Sequence, residues 1–356
     1  MPRCLNRAIG EKHAGMRVPA GVLRGTRVAP TKGVALGVSG ALFLAEVPMY
    51  RSILVPLDGS SFGEHALPLA AGIARRAGAK LSLVHVHRRD VEPELPTLTP
   101  YQFEGLNARA LELRTEEEEG DYLAEIGRRL CAGSPLALST TMLGGTVPAA
   151  LERHVHESDG DLLVMTTHGR GPLGRLLAGS IADALVRHAG KPVLLVRPVE
   201  GEPVAFEADP IVERILVALD GSSLAEQILP HAADFARLLG ARIELLSVVT
   251  TAMVAGGAFG LQPGSAPGAT IEAAQAYLKR IAATLAPEIT VETFATAAGD
   301  PATAICSAAG LRGAGLVALA THGRSGLNRL VAGSVAEKVI RSSFLPVLLV
   351  RPALAH

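Results

Sequence analysis

At 356 residues the chain has room for about two domains, and its 48% hydrophobic content, with no Trp and 3% aromatics, suits aliphatic strands under Ala-rich helices. Its 34 basic and 34 acidic residues balance to a formal charge of zero, which argues against a nucleic-acid partner and the concentrated basic face one requires. No apolar run reaches the roughly 18 residues of a membrane span, and Cys4, Cys131 and Cys306 stand apart, without CxxC or other ligand spacing. No disulfide framework and no metal site follow, and a reducing, cytoplasmic setting is expected.

Residues 1–48 carry Arg3, Arg7, Lys12, Arg17, Arg24, Arg27 and Lys32 against Glu11 and Glu46. Residues 34–45 are apolar, but about 30 residues precede them, which is long for the basic region of a signal peptide, and no small-x-small cleavage site follows. The stretch reads as a basic, disordered extension, with Met49 as the natural start. Beyond it the chain repeats itself. Residues 51–80 match residues 213–242 at 17 of 30 positions, and residues 166–198 match residues 320–352 at 19 of 33. Solenoid units run to roughly 20–50 residues; this unit is the size of a domain, so residues 49–198 and 212–352 are a tandem duplication joined by a linker at 199–211.

Each unit opens with an aliphatic run, Ile53–Leu57 in the first, that ends in Asp-Gly-Ser-Ser and reads as a buried parallel strand. Ser61-Phe62-Gly63-Glu64 and Ser223-Leu224-Ala225-Glu226 have capping-box spacing and each opens a helix that ends at Gly78 or Gly240, where a left-handed cap costs little. Second strands at Leu81–Val86 and Ile243–Val249 complete a β–α–β unit with a helical crossover, hence a parallel sheet. Pro- and Gly-rich long loops are expected at 88–103 and 250–270, then helices at about 106–130 and 271–285. The run Glu116–Glu119 is read as a solvated face, and His85 and His87 as packing and surface residues. Third strands at 136–142 and 289–295, capped helices after Thr146 and Asp300, fourth strands at 161–165 and 315–319, helices from Ser180 and Ser334, and closing strands at 193–197 and 347–351 complete the plan. The fold class is α/β: two tandem open five-stranded parallel sheets flanked by helices, with the closing strands of the two units paired to cover each other's edges. Dimerisation of the whole chain stays open.

Two loops recur at strand carboxyl ends. One is Asp58-Gly59-Ser60, repeated as Asp220-Gly221-Ser222; the other runs from Gly169 to Gly179-Ser180, repeated as Gly323 to Gly333-Ser334. Ligands of open α/β sheets sit outside the carboxyl ends where strand order reverses, so the two loops line one crevice if the first and fourth strands are neighbours. Glycines let backbone N–H groups approach a polyanion, and Ser180 and Ser334 open helices whose N-termini favour anions; Arg170 and Arg324 add cations. No Gly-Lys-Ser/Thr follows, so this is not a Walker loop. His168 and His322 read as residues that shape the turn, and His154 and His156, two apart on a helix, make a poor metal pair.

With ILVPLDGS, THGR and a Gly-Ser step before PVLLVRP in place, both units resemble the universal stress proteins, in their ATP-binding subgroup. That subgroup carries a glycine, two residues, a glycine, nine residues and Gly-Ser or Gly-Thr; here Gly169 and Gly323 each precede Gly-Ser by nine residues, and the first glycine is Thr166 or Ala320. The resemblance implies a Rossmann-like fold of the adenine-nucleotide α-hydrolase type and a stress-response regulator rather than an enzyme. It also implies ATP, with magnesium held mainly by phosphate oxygens. Asp58 and Asp220 would approach ribose or adenine, Val86 and Val248 would flank adenine, and Gly169, Arg170, Gly179, Ser180, Gly323, Arg324, Gly333 and Ser334 would hold phosphates. A slow ATPase using Asp58 and Asp220, and a nucleotide-free interaction module, are the alternatives; the protein partner is not legible.

Overall fold

The computed structural model describes residues 50–87, 108–132, 134–167, 180–198, 204–206, 211–256, 258–321 and 333–352, apart from the side chains of 108–114 and 180. The first unit runs β1 (Ser52–Leu57), α1 (Ser61–Glu64), α2 (Leu67–Ala77), β2 (Lys80–His87), α3 (Ala108–Ala132), β3 (Leu138–Gly144), α4 (Val147–Glu157), β4 (Leu162–Thr166), α5 (Ser180–His188) and β5 (Val193–Val196). The second runs β6 (Arg214–Ala218), α6 (Ser223–Glu226), α7 (Leu229–Leu239), β7 (Arg242–Val249), α8 (Thr251–Gly256), α9 (Pro267–Ala282), β8 (Val291–Ala297), α10 (Pro301–Leu311), β9 (Leu316–Ala320), α11 (Ser334–Ser342) and β10 (Val347–Val350). Helix α8 corrects the expectation of a bare loop over 250–270: Thr250 Oγ1 accepts the Met253 N–H at 3.3 Å and caps a turn where sequence shows only Gly and Pro.

Helices α2 and α7 end as expected on left-handed glycines, Gly78 at φ 62° and Gly240 at φ 67°. The expected caps move by one residue. Ser60 and Ser222, both extended, accept the N–H groups of Gly63 and Ala225, so Ser61 and Ser223 are already helical.

The strands form one sheet in the order β3-β2-β1-β4-β5-β10-β9-β6-β7-β8. Within each unit every pair is parallel; β5 and β10 are antiparallel, with Leu194 opposite Leu348, Val193 opposite Leu349 and Leu195 opposite Val347. The expected pairing of the closing strands is present and joins the two five-stranded sheets into one, across a local twofold between two copies of Val-Leu-Leu-Val. Helices cover both faces, which explains strands that are aliphatic throughout rather than alternating. One core layer contains Ile53, Leu83, Phe235 and Leu245; the other contains Leu163, Leu185, Val317 and Val339. Across the joint α2 packs on α7, and Arg76 donates to the Leu239 carbonyl at 3.2 Å. The Tyr50 ring meets Phe235 edge-on at 5.2 Å, with its hydroxyl 3.2 Å from His231 Nδ1. In the stretch between the units Phe206 is buried, the guanidinium of Arg129 lying 3.9 Å from its ring centroid.

The two units differ at the amino edge of the sheet. Ser52, Ser82, Ser139 and Ser158 in the first occupy the places of Arg214, Glu244, Glu292 and Arg312 in the second. Ser82 and Ser139 share a 3.0 Å hydroxyl contact. Glu244, fully buried, binds Arg214 at 3.1 Å and also Arg312, while Arg214 reaches Glu292 at 2.9 Å. Removing one member of such a group strands the others in a poor solvent. Glu244→Ala is expected to lower unfolding free energy by about 3–5 kcal/mol, whereas Ser82→Ala costs about 1 kcal/mol; urea titrations of the two variants give the comparison.

Burial lowers the basicity of His231, while it raises the carboxyl of Asp234, and the phenol of Tyr50 is raised by burial and then by Asp234 and Asp161. A depressed histidine binds its proton in the unfolded chain first. The stability it leaves intact above its ordinary value near 6.5 is lost as pH falls below that value toward the folded one, by at most about 1.4 kcal/mol per pH unit for one proton. His154, also lowered by burial, acts in the same sense. Asp234 acts oppositely in the carboxylate range, holding its proton longer when folded. His231→Gln is expected to flatten the decline of stability below pH 6.5, measured by thermal melts from pH 8 to 5.

Candidate functional site

At the carboxyl end of β1, Asp58 Oδ1 accepts from the Ser60 N–H at 3.0 Å and from its hydroxyl at 2.6 Å. Asp220 Oδ1 takes the same bonds from Ser222, at 3.0 and 2.6 Å. Each serine hydroxyl donates to aspartate while accepting a helix N–H, so the carboxylate and the first turn of α1 or α6 are oriented together. The chain between them turns through left-handed glycine, Gly59 at φ 75° and Gly221 at φ 82°.

The second loops begin where β4 and β9 end. Thr167 and Thr321, both buried, donate their N–H groups to the Val196 and Val350 carbonyls at 2.9 Å. Helix α5 opens at Ser180 and α11 at Ser334, with Gly333 as cap. Gly333 donates back to the Thr321 carbonyl, and a β-carbon there would stand 3.0 Å from that oxygen, so the helix start is held against the strand end. Ser334 is exposed. The backbone at its position is one of the unpaired N–H groups of a helix N-terminus. Gly169, Arg170 and Gly179, with Gly323 and Arg324 and the two histidines, His168 and His322, lie outside the described residues.

The neighbour relation on which the crevice depends holds in both units: β1 pairs with β4 and β6 with β9, each parallel. With β2 on the other side of β1 and β7 on the other side of β6, the chain reverses its direction across the sheet at those strands, the topological switch of a doubly wound fold. The register of Leu57 opposite His85 sets Val86 level with Asp58; that of Ala218 opposite Leu246 sets Val248 level with Asp220. Both valines are buried.

Two features beside the crevices escaped the sequence reading. His85 Nδ1 donates to the Leu57 carbonyl at 2.8 Å, the residue before Asp58. Glu119 contacts His85 Nε2 at 3.4 Å and His87 Nδ1 at 2.8 Å, and both histidines are buried. The reading of Glu116–Glu119 as wholly solvated and of these histidines as packing and surface residues is thus corrected. Glu116, Glu117 and Glu118 are exposed, but Glu119 falls on the face of α3 that carries Leu123, Ile126 and Leu130 into the core. The signal was its four-, seven- and eleven-residue spacing from those apolar residues. The second unit has Ser247 and Val249 at the histidine positions.

In the second unit Phe259 lies against the Asp-Gly-Ser loop. A β-carbon on Gly221 would stand 2.6 Å from Phe259 Cε1. Tyr277 of α9 packs on Phe259, ring centroids 5.5 Å apart, and donates its hydroxyl to Glu226 of α6 at 2.9 Å. Burial and that bond hold the Tyr277 phenol proton well above its ordinary range, and Asp220 adds to the effect. No group of His, Cys, Asp and Glu suited to a metal ion occurs among the described residues, and no helix among them is long and apolar enough to cross a membrane.

Fold and site together define a tandem doubly wound α/β protein, Rossmann-like in each half, with a topological switch point between β1 and β4 and another between β6 and β9. The model of the universal stress protein family matches residues 49–197 and 212–351, and the chain belongs to that family. A universal stress protein of Mycobacterium tuberculosis is 28% identical over 316 residues, covering 85% of this chain and 97% of the relative. One from Thermus aquaticus is 34% identical over 149 residues, all of its length and 42% of this chain. The crystal structure of a universal stress protein from Archaeoglobus fulgidus shares the fold, with a TM-score of 0.57 and 18% identity over 86% of this chain and 98% of that one.

Gly221 is constrained twice, by its left-handed backbone and by the ring beside it. Gly221→Ala is expected to cost about 1–2 kcal/mol from backbone strain alone, read as a lower urea midpoint at unchanged slope.

Proposed function

We propose that the chain is a cytoplasmic ATP-binding regulator with one nucleotide site per unit, working through binding rather than turnover. The observation that carries this reading is the adjacency of β1 with β4 and of β6 with β9, so that the Asp58 and Asp220 loops follow strands neighbouring those from which the second loops depart. What supports phosphate at α11 is a glycine cap, whose β-carbon would stand 3.0 Å from the Thr321 carbonyl, leading into an exposed helix N-terminus.

In this reading Asp58 and Asp220, fixed by their serines, accept hydroxyl protons of the ribose or a proton from the base. Val86 and Val248 form the apolar wall beside adenine. The backbone N–H groups at Gly179-Ser180 and Gly333-Ser334 take the phosphates, with Gly169, Arg170, Gly323 and Arg324 completing each loop. When bound, ATP supplies the polyanion whose oxygens hold magnesium, so no protein cage for the ion is needed. The chain's own contribution is to orient the nucleotide at an edge of the sheet where its presence changes what a partner protein meets.

The test is nucleotide content followed by calorimetry. Protein purified and then denatured should release adenine nucleotide, and titration with ATP and magnesium should reach two per chain. Gly333→Val should remove one of them, because its side chain would meet the Thr321 carbonyl. No released nucleotide and no heat would overturn the proposal.

A further inference from the structure

The pairing of β5 with β10 leaves two outer edges, β3 at one end of the sheet and β8 at the other. An edge strand presents a row of N–H and C=O groups that can pair with another strand, and folded chains commonly block it. The phase of each ladder shows which groups point outward. Leu81 donates to the Ala137 carbonyl at 2.7 Å and Gly145 to that of His87 at 3.3 Å, so the odd-numbered residues of β3 face β2. Leu138, Thr140, Met142 and Gly144 therefore turn their backbone groups outward. In β8 the even-numbered residues face β7, since Ile243 donates to Thr290 at 2.9 Å and Ala298 to Val249 at 3.1 Å; Thr293 faces outward.

The two edges are treated differently. Gln275 of α9 donates to the Thr293 carbonyl at 3.2 Å and to its hydroxyl at 2.7 Å, closing the β8 edge near mid-strand. Thr115, Tyr122, Leu123 and Ile126 of α3 recur at the same spacing as Thr270, Tyr277, Leu278 and Ile281 of α9, which sets Gly120 in the place of Gln275. The strand registers set Thr140 in the place of Thr293. A β-carbon on Gly120 would meet nothing within 4 Å, and Thr140 and Gly144 are exposed. Among the described residues, none bonds to the outward N–H and C=O groups of β3.

The occupant that fits this edge is a second copy. A twofold at Thr141 sets Thr140 opposite Met142 and Leu138 opposite Gly144, the register in which every outward residue of β3 exchanges an N–H and a C=O. Residues 134–145 hold no charge, so no side chain of the strand meets its like across such a ladder, whereas β8 carries Glu292. The chain already uses the same construction internally, where identical Val-Leu-Leu-Val segments pair antiparallel about Leu194 and Leu348. We propose that β3 is a dimerisation edge through which two copies of this chain join antiparallel into one continuous sheet. Gly120 keeps that edge open, and Gln275 closes the other.

Sedimentation equilibrium of the full-length chain should show a monomer–dimer equilibrium. Gly120→Gln, which gives α3 the side chain that closes β8, should weaken dimerisation about ten-fold or more, as loss of one hydrogen-bonded pair would. Glutamine is a better helix former than glycine, so the variant should melt no lower than the parent. Hydrogen exchange reads the same contact without a substitution. The amides of Leu138, Thr140, Met142 and Gly144 should slow as protein concentration rises, while those of Ser139 and Thr141, already turned to β2, should not change. A chain that stays monomeric at every concentration overturns the proposal. So does a dimer that Gly120→Gln leaves intact, because its contact would lie elsewhere. Outward amides protected equally at all concentrations overturn it too, since the chain's own residues would then cover the edge.

Discussion

A parallel sheet covered by helices on both faces still ends in two raw edges of unpaired N–H and C=O groups, and this chain makes two such sheets. The antiparallel pairing of β5 with β10 disposes of one edge from each. Everything around the joint follows from it. The same Val-Leu-Leu-Val segment serves both sides, so Leu194 meets Leu348 at the centre of a local twofold. Each core layer then continues from one unit into the other, and α2 and α7 are brought close enough to bury Tyr50 against Phe235. An arrangement that separate chains of this kind would reach only at sufficient concentration is here intramolecular, at an effective concentration set by the connecting segment.

Much of this was legible in the residues. Aliphatic runs ending in Asp-Gly-Ser mark β1 and β6, Gly78 and Gly240 mark helix ends, and Asp300 caps α10 by accepting from Thr303, because each is a local signal with a local cause. The adjacency of β1 with β4 was legible only as a condition on the crevice, since strand order is a property of the whole chain. Three things were not legible, the first through a local side-chain contact and the other two through contacts distant in sequence. Ser60 rather than Ser61 caps α1, because a carboxylate two residues back holds its hydroxyl in place. Glu119 turns inward because two histidines on a strand distant in sequence await it. Phe259 finds Gly221 across a connection whose composition signals only irregularity.

The duplicated units have drifted unevenly. At the amino edge four serines of one unit stand where the other has two arginines and two glutamates, a change that makes sense only as a set. A lone Glu244 in a dry interior is costly, whereas Glu244 with Arg214, Glu292 and Arg312 is compensated in charge. Asp161, which accepts the Arg51 and Ser52 N–H groups in the first unit, is Gly315 in the second. The carboxyl edge keeps its Asp-Gly-Ser and its Gly-Ser helix start in both copies. Structure alone tolerates either solution at one edge, so the constancy of the other points to a demand beyond stability.

Antiparallel joining also points the carboxyl ends of the two halves in opposite directions. From β4 to β9 lie three strand spacings, about 14 Å, and the two ends are further offset along the strands by about 13 Å or more, the length of a four-residue strand. Both separations exceed the screening length of about 8 Å at physiological ionic strength. Charges at one end are therefore largely screened from charges at the other, whereas charges sharing one end would repel. If each half holds a polyanion, as proposed above, both ends can fill with little electrostatic penalty from one to the other.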